Sequence, residues 1–186
     1  MSSLSGIQSA RMLTPPVACG DSEAHWYAIQ TRARHEKKIA VLLQEKSVET
    51  YLPLFSHVHL WSDRHQVIRL PLFSCYAFVR LVACPESRHQ VLRTPGVLRF
   101  VGNQGQGQPI ADQQISDIQT LLSQDVPCAL FPFLRAGQRV RVRGGCLDGV
   151  EGILVARNSS RKLVISIDVL ERSVAIGIDG YDLELV

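Results

Sequence analysis

The residue types best suited to metal chemistry in this chain of 186 residues are His57, His59 and His65, which fall within one short stretch. Imidazoles on one hairpin can converge on a transition metal, and side chains two apart on a strand share a face, as His57 and His59 would. No carboxylate or cysteine joins them at fitting spacing, so plain surface histidines account for them better than a metal site. Cys75, beside Ser74, is a nucleophile on paper only. No histidine is paired with it by sequence, and a thiol inside an apolar strand is inert. There is no glycine-rich phosphate loop, no nucleophile elbow and no His-Glu-x-x-His helix. The expectation is therefore a protein that is not an enzyme and carries no cofactor or metal. What remains is binding chemistry. Arg32, Arg34, His35 and Lys38 form a basic set suited to phosphates. Phe73, Tyr76 and Phe78, beside Pro71 and Leu72, form an aromatic run suited to apolar docking.

The elements that must carry these residues follow from periodicity. Trp26–Gln30 is aromatic and β-branched, a strand. From Arg34 to Lys46, the apolar residues Ile39, Leu42 and Leu43 recur at helical spacing, leaving Arg34, Lys37, Lys38 and Glu45 on the outer face. Thr50–Leu54 is extended, with Pro53 marking an edge. His57–Trp61 and His65–Leu70 flank Ser62-Asp63-Arg64 as a hairpin with a polar tip. Tyr76 and Phe78 alternate with Cys75, Ala77 and Val79 in a strand placed centrally in its sheet. If the small-residue face packs on helices, the aromatic face is left free. Pro85-Glu86 opens a helix running to about Arg93, Thr94-Pro95-Gly96 turns, and Val97–Val101 is a strand. Asp112 is expected to cap a helix whose Ile115, Ile118, Leu121 and Leu122 share one face.

Residues 125–136, with Pro127 and Pro132 and no clear period, read as a linker, although Leu130, Phe131, Phe133 and Leu134 are too apolar for a free tether. Short strands follow at 139–143, 151–157, 162–168 and 172–178, with Asn158-Ser159-Ser160 as the middle turn. Several strands in so few residues, with glycine at corners, suggest a small closed barrel, and Gly152 inside a strand pattern suits a tight corner. The boundaries that result are a disordered tail at 1–24, a first domain at 25–124, the linker at 125–136 and a second domain at 137–186.

Hydrophobic residues make up 46% and charged residues 20%, the balance of a globular protein. Residues 25–124 hold eleven Lys and Arg against seven Asp and Glu, whereas residues 137–186 hold seven of each. A mildly basic first domain suits a polyanion, and a neutral second domain disfavours tight RNA binding there. The five cysteines, at 19, 75, 84, 128 and 146, include no Cys-x-x-Cys and read as reduced cytoplasmic thiols. Val17-Ala18-Cys19-Gly20 looks like a lipoprotein cleavage site but lacks the apolar stretch before it. No segment is long enough to span a membrane, and no membrane partner is expected.

Separated signatures in one order carry a resemblance. They are Trp26-Tyr27, then Pro71-Leu72-Phe73-Ser74-Cys75-Tyr76-Ala77-Phe78-Val79, then Thr94-Pro95-Gly96-Val97 through Phe100-Val101-Gly102, then Val140–Gly152 with Gly144, Gly145 and Gly149. From His25 to Val186 the chain resembles a NusG-type transcription elongation factor, with an N-terminal NGN domain and a C-terminal KOW domain. The resemblance implies an α+β fold, an antiparallel NGN sheet flanked by helices and then a small SH3-like KOW β-barrel. It implies that Pro71, Leu72, Phe73, Tyr76 and Phe78 dock on the clamp helices of the largest subunit of bacterial RNA polymerase. Ser87, Arg88 and His89 would touch the opposing polymerase lobe, and Arg32, Arg34, His35 and Lys38 the non-template DNA strand. On the barrel, Gly145, Cys146, Leu147, Gly149, Ile167, Asp168 and Val169 would bind ribosomal protein S10 or Rho, with Gly152 a structural glycine. A cytoplasmic monomer is implied. The family usually has Pro-Gly, or Pro and a small polar residue, where Ser74-Cys75 stands, and proline is common where Cys146 stands.

The Pro-Leu-Phe form of the motif and the short hairpin tip look more like the specialised RfaH and UpxY branches, which act as operon-specific antiterminators. The alternatives are a general NusG-like factor coupling to Rho or the ribosome, or a KOW-containing ribosome- or RNA-binding protein. Val164, Ile165, Ile167, Val169, Val174, Ile176 and Ile178 favour strands over a helical refold of the barrel segment.

Overall fold

The computed structural model describes residues 23–61, 64–124, 128–131, 137–157, 160–178 and 180–186. Nearly all of the expected tail, residues 62–63 of the hairpin tip, residues 158–159 of the middle turn and most of the linker lie outside the described residues.

The first unit comprises β1 (Ala24–Thr31), α1 (Glu36–Glu45), β2 (Glu49–Tyr51), β3 (Leu54–Trp61), β4 (Arg64–Pro71), β5 (Tyr76–Val82), α2 (Pro85–Leu92), β6 (Val97–Phe100), β7 (Pro109–Ile110) and α3 (Asp112–Ser123). Its sheet is antiparallel in the order β2-β5-β1-β6, with β7 also pairing to β1. β5 is interior and β2 is an edge, as the apolar run and the marker Pro53 require. The β3–β4 hairpin is a separate ribbon, and its register sets His65 opposite Leu60, not opposite His57 or His59.

Strand alternation builds two cores on this sheet. Tyr27, Ile29, Ala77 and Val79 pack with Ile39 and Leu43 of α1 and Val91 of α2. Trp26, Ala28 and Phe78 turn the other way and pack with Ile115, Ile118 and Leu121 of α3. The expectation of a free aromatic face is thereby corrected, because helices cover both faces. A second correction concerns Asp112. Ala111 is the N-cap and Asp112 lies in the first turn, where its charge favours the positive end of the helix and meets Arg80 at 3.5 Å.

The second unit is a six-stranded antiparallel sheet in the order β13-β9-β10-β11-β12-β8. Its strands are β8 (Cys128–Phe131), β9 (Gln138–Arg143), β10 (Glu151–Arg157), β11 (Ser160–Ile167), β12 (Arg172–Gly177) and β13 (Asp182–Leu185). It encloses Val140, Val142, Leu147, Leu163, Ile165, Ile167, Val174 and Ile176, the packed interior of a small barrel. The segment read as linker supplies β8, which pairs with β12 from Phe131↔Ser173 to Cys128↔Ile176. Leu163, Val164 and Ile165 are all buried, so β11 is covered on both faces. α3 packs against β11, and the amide of Gln114 donates to the Asp168 carboxylate at 3.0 Å.

Candidate functional site

The aromatic motif begins where β4 ends and is held by a turn that one carboxylate fixes. Leu72 N–H donates to the Pro53 carbonyl at 2.8 Å, and Tyr76 N–H to Phe73 at 3.2 Å. Cys75 sits at φ 69°, a left-handed conformation that suits glycine, and its N–H donates to Glu36 Oε1 at 2.9 Å. Glu36 is buried at the start of α1, so the helix that carries the basic set also pins the aromatic turn. Nothing in the sequence pattern marks Glu36 for this role. Replacing Cys75 by glycine keeps the N–H and relieves the left-handed strain. After the entropy cost of glycine, a gain of about 0.5–1 kcal/mol in stability is expected. An upward shift of the denaturant midpoint checks it; a downward shift means that the Cys75 side chain contributes packing.

The aromatic residues divide into a base and a rim. Leu72, Phe73 and Phe78 are buried, with the Phe73 and Phe78 rings edge to face at 6.1 Å. Tyr51 stacks on Phe78 at 6.3 Å and meets Trp26 edge-on at 6.4 Å. Burial pushes the Tyr51 hydroxyl up from its ordinary value, so it stays neutral. Pro71, Tyr76, Tyr51 and Phe55 are only half-buried and form the accessible rim. Tyr51 and Phe55 are absent from the sequence-derived set, because their relation to Phe78 exists only after the strands pair.

Arg32, Arg34, His35 and Lys38 are all exposed at the β1–α1 turn. Arg32 N–H donates to Gly96 O at 2.8 Å, and the His35 ring contacts the Ala33 carbonyl at 3.0 Å, which together order the loop that presents these charges. On α2, His89 is exposed. Ser87 is half-buried against the Cys84 thiol at 3.0 Å, and Arg88 lies over the Tyr27 ring at 6.0 Å. Pro85, Glu86, Arg88, His89 and Leu92 line a shallow open cleft there.

On the barrel, Gly145 and Cys146 are exposed and Gly149 is half-buried, but Leu147 is wholly buried in the core. Ile167 is also wholly buried, following Leu163 and Ile165 on the inward side of β11. These two are corrected from surface contacts to core residues. Asp168 is exposed and Val169 half-buried, and both line the cleft between α3 and the barrel. The two candidate segments have different neighbours: Cys146 meets the Tyr181 hydroxyl at 3.1 Å, whereas Asp168 meets α3. Among the described residues no group of three or more metal-ligating side chains converges, and no helix is long and apolar enough to cross a membrane.

The family model described as "Transcription termination factor nusG" matches residues 24–119. A transcription termination/antitermination protein NusG from Lactococcus lactis is 26% identical over 171 residues, covering 86% of this chain and 91% of the relative. The protein of the same name from Borreliella burgdorferi is 23% identical, covering 87% and 98%. Among solved structures, Thermotoga maritima NusG, in a study of its domain interaction, aligns with a TM-score of 0.53 at 20% identity, covering 84% of this chain and 93% of that one. The sheet with its three helices, the strand-rich second unit and the family match lead to one conclusion: the chain belongs to the NusG family of transcription termination/antitermination factors.

Proposed function

We propose that the chain is an elongation and antitermination factor whose first unit binds the clamp helices of the largest subunit of bacterial RNA polymerase. The observation that carries this reading is the half-buried rim of Pro71, Tyr76, Tyr51 and Phe55 over a rigid buried base. Aromatics already held in place lose little entropy on binding and dominate interfaces where they cluster. The exposed charges of Arg32, Arg34, His35 and Lys38 suit phosphates of the non-template strand, and the α2 cleft at Ser87, Arg88 and His89 suits the opposing lobe. Bridging the two sides of the nucleic-acid channel disfavours the opened, paused polymerase, so elongation becomes more processive. Binding energy alone performs this work.

The Pro71-Leu72-Phe73 form of the motif and a hairpin in which Trp61 pairs directly with Arg64 support an operon-specific paralogue. The barrel recruits ribosomal protein S10 or Rho through Gly145, Cys146, Gly149, Asp168 and Val169. The test is retention of core bacterial polymerase by the immobilised full-length chain. Tyr76→Ala removes one of the two rim tyrosines without opening the base and is expected to cost about 2 kcal/mol of affinity, a loss of at least tenfold. Equal retention by a folded Tyr76→Ala variant would remove the rim from the interface.

A further inference from the structure

The seam between α3 and the barrel encloses a carboxylate. Asp117 is 4% exposed and lies in the second turn of α3, on the side turned toward β9 and β10. Gln113 donates to its Oδ1 at 2.8 Å, and the Glu151 backbone N–H also donates to it. Every charged group facing it from the barrel can be named. Glu151 stands on β10, Arg139 and Arg141 on β9, and Asp168 and Glu171 in the turn after β11. Arg141, whose charge favours the ionised form of Asp117, is held by Glu151: its Nε donates to Glu151 Oε1 at 2.8 Å. On its own helix, Asp112 is engaged with Arg80. The seam therefore sets a buried acid beside a second acid, with one guanidinium bonded to Glu151 and only its charge reaching Asp117. A cleft of about 880 Å³, lined by Gln114, Asp117, Arg139, Glu151, Asp168 and Val169 among others, runs along it. A cleft of that size beside the contact leaves room for water to enter as the seam opens.

We propose that Asp117 is a charge-operated release for the α3–barrel seam: the neutral carboxyl is accommodated when the seam is closed, and the ionised carboxylate loosens it. Burial is the main cause that pushes the Asp117 carboxyl up to about 6 in the closed form, against an ordinary value of 3.8; the hydrogen bonds from Gln113 and the Glu151 N–H and the Arg141 charge oppose it, and the Glu151 charge adds to the rise. The closed form thus holds the proton more tightly than the open form. Closure is at full strength below the ordinary carboxylate value, weakens as pH climbs toward the raised value, and stays weakened above it. The gap between the two values corresponds to at most about 160-fold in the closure constant, and because α3 buries part of its own residue in the open form too, a change on the order of tenfold is expected. At neutral pH the seam is held below its possible strength, so the strip at Asp168 and Val169 can be released. The value of that release for partner recruitment rests on the function proposed above; the seam's response to charge does not.

The experiment is NMR relaxation on the full-length chain, which reports whether barrel and first unit tumble together. It is run at pH 4.5 and 7.5 on the wild type and on Asp117→Asn, each also in a Gln114→Ala background that weakens the seam. The wild-type closed fraction is expected to fall between the two pH values, whereas Asp117→Asn remains closed at both, with a closure constant about tenfold higher at pH 7.5. A seam that stays shut, or stays open, equally in both chains at both pH values overturns the proposal. So does a pH dependence that survives Asp117→Asn. None of these outcomes bears on polymerase retention, so the two readings fail separately.

Discussion

Gly152→Ala is expected to unfold the barrel. A Cβ at this position would lie 2.6 Å from the Val164 carbonyl oxygen and 3.0 Å from Leu163 Cγ, distances at which the neighbours must move. The oxygen belongs to the backbone of β11, which is paired to β10 on one side and to β12 on the other, so it cannot retreat without breaking ladder bonds. Gly152 itself is opposite Val140 in β9, which closes the remaining direction. Its φ is not in the left-handed region, so what glycine supplies here is space, not conformational freedom. Overpacking against backbone costs about 3 kcal/mol or more, a large share of the roughly 5–15 kcal/mol that holds a domain together. Gly177 is the control. It ends β12 with nothing within 4 Å of its would-be Cβ and an ordinary φ, so Gly177→Ala is expected to be neutral within about 0.5 kcal/mol. Thermal unfolding followed by NMR of the β9–β12 amides separates the two. A Gly152→Ala barrel with native stability would mean that the β10–β11 contact is looser than a 2.6 Å approach to the Val164 carbonyl implies.

The two-unit plan was legible because its signals are periodic and local. Ile39 and Leu43, placed on one stripe of α1 by spacing, are both fully buried, as are Ile118 and Leu121 on α3. Gly152 was legible as a position that wants glycine, though sequence left open whether space or φ demanded it. Two features escaped for different reasons. β8 is four residues long in a proline-rich segment, too short to display a period, and its pairing with β12 is a long-range choice that no local pattern encodes. The burial of Phe78 escaped because alternation tells which residues share a face, not what covers that face. Ala77 and Val79 on one side and Phe78 on the other are equally enclosed, since α1 and α2 take the first face and α3 the second. Asp117 and Glu36 were illegible in principle. Each is an ordinary helix-surface acid until a segment far away in sequence arrives, β10 in one case and the Cys75 turn in the other.

Phe78→Ala is expected to cost about 3–5 kcal/mol of stability, the range for deleting a fully buried aromatic ring. Phe78 has no exposed surface, is edge to face with Phe73 at 6.1 Å and is stacked with Tyr51 at 6.3 Å. Its strand is interior to the sheet, with Phe78 paired with Ala28 in β1 and Tyr51 in β2, so the backbone cannot collapse into the space that the ring vacates. The cavity would therefore persist beneath α3, and both transfer and cavity terms contribute to the loss. The neighbouring Tyr76 predicts the opposite pattern. Half-buried at the rim, it should cost about 1 kcal/mol or less in stability when truncated while weakening polymerase retention. Denaturant unfolding and polymerase retention, measured on the same two variants, place each ring. If Phe78→Ala retains native stability and loses only retention, Phe78 belongs to the interface and α3 must swing away from the sheet on binding. If it unfolds as expected, the interface is confined to the rim, and the base contributes by keeping Tyr76, Tyr51 and Phe55 where a partner meets them.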